Sequence, residues 1–121
     1  MNRNAAHTKL VALIRLELGD LRRYPDVRIW PNIVSHVESY DPIRGGARHQ
    51  HAGLPKGSPD LVGIVAGRWF SLEVKTGRGV RSEIQIQFAA AIQAAGGFVA
   101  VVRSVEEAVA ALQRCRAGAL Q

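Results

Sequence analysis

The sequence predicts an α/β fold in which helices pack on a small mixed sheet, and three observations predict it. Leu10, Leu13, Ile14 and Leu18 recur at helical spacing near the start of the chain. Two short apolar runs, 60–66 and 69–75, meet through Ala66-Gly67-Arg68 as the strands of a hairpin. A helical stretch, a wholly apolar strand and a second helical stretch then follow in turn.

Taken in order, the first helix runs from Ala5 or His7 to Leu18 and stops at Gly19 and Asp20. Glu17 falls inside its apolar stripe and in its last turn, where the helix dipole disfavours a negative charge. Such a carboxylate needs a partner, either a basic side chain or a metal. VRIWPNIV at 27–34 reads as a strand broken by Pro31, hence an edge strand or one that bends there. Residues 35–58 hold His36, His49 and His51 and read as a long loop. After the hairpin, TGRGVR at 76–81 is a glycine-rich basic loop. The second helix begins after Ser82 and ends at Gly96-Gly97, with Ile84, Phe88, Ile92 and its alanines as the buried face. FVAVV at 98–102 has the composition of a strand buried on both faces. A capping box, Ser104 to Glu107, opens a last helix from Val105 to about Arg116.

The chain has 121 residues, enough for one modest core, and it reads as a single domain. Sixteen Lys and Arg against ten Asp and Glu leave a net charge of +6, which favours polyanionic partners, nucleic acid above all. One cysteine, Cys115, excludes an internal disulfide and a cysteine-based zinc site. No apolar run approaches the ~20 residues of a membrane span, and the N-terminus lacks the apolar core of a signal peptide. A soluble cytoplasmic protein is expected.

The chemistry concentrates in PDLVGIVAGRWFSLEVK at 59–75. With the hairpin turn centred on residues 66–67, Asp60 stands directly across from Glu73. Cross-strand Cβ atoms lie ~4.5–5.5 Å apart, close enough for two carboxylates to share one ion. Lys75 lies two residues beyond Glu73 and so shares its face. Phosphodiester cleavage needs a divalent cation to polarise the phosphate and activate water, and hard cations select carboxylate oxygens. The alternative is structural: Asp60 caps a turn after Pro59, and Glu73 with Lys75 forms a solvent-facing ion pair. Gln85 also admits two readings, the capping partner of Ser82 or a group reaching the site. His49 and His51 lack a convincingly spaced third metal ligand, and contact with phosphate or solvent suits them better. Arg44, Arg48, Lys56, Arg78 and Arg81 sit in the two loops flanking the site and suit contacts to a phosphate backbone. Trp30 and Trp69 read as packing residues.

KGSPDLVGI at 56–64, SLEVKTGRG at 71–79, SEIQ at 82–85 and AAGGFVAVVRSVEEA at 94–108 occur in an order that resembles the VRR-NUC branch of the PD-(D/E)XK nucleases. The elements read along the chain fall in the order α-β-β-β-α-β-α, and the resemblance implies a restriction-endonuclease-like core with a Mg²⁺- or Mn²⁺-dependent site. It makes Asp60 and Glu73 metal ligands together with the Val74 carbonyl, and Lys75 the catalytic lysine. It adds a first-helix carboxylate, here Glu17, as a further ligand, and gives Gln85 a catalytic role. Stand-alone members of this kind resemble phage and bacterial homodimers that cut branched DNA, so a resolvase of four-way, Holliday-type junctions is expected. A catalytically silent nucleic-acid-binding module and a nuclease of flaps or linear duplex are the alternatives.

Overall fold

A computed structural model describes residues 3–33, 35–40 and 42–121, with only the backbone described at 3, 4, 35–40 and 47–52. Among the described residues three helices and six strands follow in the order α1 (Arg3–Leu18), β1 (Val27–Pro31), β2 (Ser35–Tyr40), β3 (Ala47–Ala52), β4 (Leu61–Val65), β5 (Arg68–Val74), α2 (Glu83–Ala94), β6 (Phe98–Val102) and α3 (Val105–Arg116). Four strands make one mixed sheet in the order β1-β4-β5-β6. The β1–β4 and β4–β5 pairs are antiparallel and β5–β6 is parallel. A parallel pair needs a long crossover, and α2 supplies it.

The hairpin has the predicted register, with Leu61 opposite Leu72 and Val65 opposite Arg68. Ala66 and Gly67 both take positive φ, 49° and 78°, as a two-residue turn does when its twist matches that of the strands it joins. β1 is the edge strand that Pro31 implied, although it stops at that proline. Val34, the last residue of the predicted strand, lies outside the described residues.

The predicted loop at 35–58 needs correction, because β2 and β3 pair within it as a separate two-stranded antiparallel sheet. SHVESY and ARHQHA are polar on both faces, so neither shows the apolar alternation that marks a half-buried strand. The connection holds Gly45 and Gly46 at φ 74° and 90°, the backbone a tight reversal asks for. The element order therefore has two more strands than the sequence suggested.

Phe70, Leu72 and Val74 of β5 and Phe98, Ala100 and Val102 of β6 form one core with Ile14 and Leu18 of α1 and Ala108, Ala111, Leu112 and Cys115 of α3. The four α3 residues follow the i, i+3, i+4, i+7 pattern of a buried helix face. In α1 the stripe is narrower than predicted: Leu13 is exposed while Leu10 and Val11 pack against the core. Side chains alternate along a strand, so Ser71 and Glu73 project from the other face of β5. There α2 fully buries Ala89 but leaves the predicted Ile84 exposed. Its first turn reaches the end of β5 through Gln85. In α3, Ser104 Oγ accepts from Glu107 N at 3.0 Å. Glu107 Oε1 accepts from Arg103 N at 3.1 Å, one residue before the position a capping box would use.

Candidate active site

The register carries Asp60, just before β4, to the position opposite Glu73 near the end of β5. Gly63 permits the close strand packing beneath them, since a Cβ there would lie 2.1 Å from Arg28 O and 2.7 Å from Phe70 Cζ. The segment leading into Asp60 is tied down by Asn32, a residue the sequence analysis did not single out. Asn32 Nδ2 donates to Ser58 Oγ at 2.6 Å and Pro59 O at 2.8 Å, and Asn32 N donates to Asp60 O at 2.8 Å. Asp60 Oδ2 accepts from Val74 N at 2.8 Å, which fixes one carboxylate oxygen.

Glu73 is buried, with 4% of its surface exposed. Burial and the neighbouring Asp60 charge raise its pKa from the ordinary 4.5 to about 8, against the lowering influence of Lys75 and Arg81. Lys75 Nζ lies 3.7 Å from Glu73 Oε1. Gln85, in the first turn of α2, ties the two together: its Nε2 donates to Glu73 Oε1 at 2.9 Å and its Oε1 accepts from Lys75 Nζ at 3.0 Å. The same Oε1 accepts from Ser82 N at 2.8 Å, and Ser82 Oγ accepts from Gln85 N at 3.3 Å. The cap reading of Gln85 therefore holds, and the same amide also bonds two side chains on the sheet.

These residues line a cavity of about 490 Å³ together with His7, Val74, Thr76, Arg78, Gly79 and Val80. The Val74 side chain belongs to the core, so the backbone is what this residue offers the cavity. Arg103 pins the glycine-rich loop beside it, with Nη2 donating to Gly79 O at 2.7 Å.

Glu17 is the exception among the expected metal ligands. It accepts from Arg23 Nη1 at 2.6 and 3.0 Å and borders a different depression, with Asp20, Arg23 and Val105. The misplaced carboxylate is answered by a basic side chain six residues on, in the turn after α1. Among the described side chains of α1, His7 lines the cavity, with its Nε2 3.3 Å from Asp60 Oδ1. A lone histidine on a helix carries no pattern that would have drawn attention to it.

Of the expected cationic residues, Arg78 lines the cavity and Arg81 acts electrostatically on Glu73. Lys56 is exposed beside Gly57, where an added Cβ would meet Ile84 O of α2 at 2.8 Å. Arg44 lies in the exposed β2–β3 turn. The side chains of Arg48, His36, His49 and His51 lie outside the described residues, although the backbone pairs His36 with His51 and Glu38 with His49. Trp30 and Trp69 are half-exposed rather than core residues.

Among the described residues no group of three or more His, Cys, Asp or Glu is gathered to hold a metal ion. The carboxylates lining the open cavity are the adjacent pair Asp60 and Glu73, with Val74 beside them. A hard cation is commonly held by one or two carboxylates, with water or substrate filling the remaining positions. The raised Glu73 pKa fits that use, since a cation between the two acids would offset both the burial and their mutual repulsion. Among the described residues no helix is long and apolar enough to cross a membrane. Comparison with protein-family models and with curated proteins finds no match for this sequence.

Proposed function

We propose that this chain is a Mg²⁺- or Mn²⁺-dependent endonuclease that hydrolyses phosphodiester bonds in DNA, with a restriction-endonuclease-like core of the VRR-NUC type. The observation that carries the reading is the meeting of Asp60, Glu73, Lys75 and Gln85 at one cavity. The same four types stand at the positions that the sequence resemblance picks out.

Asp60, Glu73 and the Val74 carbonyl would hold the cation. When bound it polarises the phosphate and lowers the pKa of water. The remaining work belongs to the chain. Val74 N and the backbone around Asn32 fix Asp60 in place. Gln85 holds the Lys75 ammonium facing the cavity, where it can orient the attacking water and offset negative charge developing on the phosphate oxygens. As the water oxygen bonds to phosphorus and releases its proton to solvent, the bond from phosphorus to the leaving sugar oxygen breaks and that oxygen takes up a proton from solvent. Arg78, Arg81 and Lys56 supply contacts to flanking phosphates that grip without reading sequence.

Branched DNA as substrate and a homodimeric assembly rest on the resemblance, and two sites about a two-fold axis suit symmetrical cuts in a four-way junction. Trp30 and Ile33 offer exposed apolar surface for a second copy, whereas α3 spends its apolar face on the core. The test is a panel of labelled four-way junction, flap, linear duplex and single strand with Mg²⁺, Mn²⁺ or chelator, run beside a mass measurement. Junction cleavage that needs the cation and is lost in Glu73→Ala supports the proposal. Binding without cleavage under every condition would make the chain a silent nucleic-acid-binding module.

A further inference from the structure

We infer that His7 is a ligand to the cation held by Asp60 and Glu73, and that it biases the site toward Mn²⁺ over Mg²⁺. This rests on the metal-dependent reading above and deepens it. Glu17 of the same helix is held by Arg23 and borders a different depression. Ten residues separate His7 from Glu17, or ~15 Å along the helix axis, so one ion cannot be served from both positions. His7 stands in the first half of α1, lines the same cavity as Asp60, Glu73 and Val74, and is partly exposed to it.

The distances suit a shared ion. Two atoms bound side by side at ~2.1 Å to one ion of octahedral preference are ~3 Å apart; His7 Nε2 and Asp60 Oδ1 are 3.3 Å apart. The other Asp60 oxygen is occupied by Val74 N, so Oδ1 is the one turned to His7. An ion would replace the His7–Asp60 contact with two bonds to itself. Ligand chemistry then sets the preference. Mn²⁺ shares with Mg²⁺ a preference for oxygen and is the weakest of the first-row divalent series, but as a transition ion it takes an imidazole nitrogen more readily than Mg²⁺, which keeps its waters.

The test uses the full chain labelled with ¹⁵N-histidine and loaded with Mn²⁺, read by pulsed electron paramagnetic resonance beside calorimetric titration. Expected are a histidine-nitrogen coupling that vanishes in His7→Ala, and a loss of Mn²⁺ affinity of about tenfold or more with a smaller change for Mg²⁺. His7→Glu is expected to abolish the coupling and shift the preference toward Mg²⁺. Absence of coupling in the parent chain, or coupling that survives His7→Ala, overturns the inference. If Mn²⁺ binding also ignores Glu73→Gln, the metal-dependent reading falls with it; if binding still depends on Glu73, only the role of His7 fails. Circular dichroism of each variant separates loss of a ligand from loss of the fold.

Discussion

Glu73→Gln separates the cost of the buried carboxylate from its use. In the folded chain Glu73 keeps its proton to about pH 8, whereas the ordinary glutamate value is 4.5. Between those values the folded state binds more protons than the unfolded one. Stability must therefore fall as pH rises through that window, and be fully present below it. At about 1.4 kcal/mol per pH unit, a rise from 4.5 to about 8 corresponds to a loss of roughly 3–5 kcal/mol. For a chain of this size that is a drop in Tm of the order of 10 °C. Glutamine keeps an oxygen for Gln85 Nε2 but carries no charge, so the variant loses most of the slope and melts higher than the parent at pH 8.5 without metal. A divalent cation should restore the parent at that pH and leave the variant unmoved. The assay is thermal unfolding by circular dichroism from pH 5 to 9, with chelator and with Mg²⁺ or Mn²⁺. The same alkaline slope in both proteins would refute the reasoning.

Three further outcomes follow from the same contacts. Glu17→Ala breaks an exposed pair with Arg23 worth at most about 1 kcal/mol, and both metal affinity by calorimetry and cleavage should be unchanged. Gln85→Ala releases Lys75 and Glu73 as well as the α2 cap, whereas Ser82→Ala removes only one cap bond; both should cost about 1 kcal/mol of stability, but only the first should slow cleavage in single-turnover assays. Gly63→Ala puts a Cβ 2.1 Å from Arg28 O and should cost 3 kcal/mol or more, by rough comparison with other overpacked sites, seen as loss of the cooperative melt.

How much of this was legible depended on which signals were local. The hairpin register could be read because a two-residue turn fixes every pair beyond it, and Ala66-Gly67 is such a turn. That pairing alone set Asp60 against Glu73 and put Lys75 on their face. The β2–β3 pair was hidden because its strands bring no apolar alternation to the sequence. Glu17 drew attention for a sound reason, a carboxylate at the wrong end of a helix, but Arg23 six residues on is a nearer partner than a distant ion. His7, Asn32 and Arg103 act through tertiary contacts across 53, 26 or more, and 24 residues of chain, and no spacing rule anticipates those. Gln85 was half legible: the cap is a sequence motif, while its hold on Lys75 depends on where β5 ends.

The most direct test of the account is where Mn²⁺ sits. Crystals grown with Mn²⁺ should give an anomalous difference peak within bonding distance of the Asp60 and Glu73 carboxylates and the Val74 carbonyl. A peak elsewhere on the chain, or an empty cavity at saturating Mn²⁺, would contradict it.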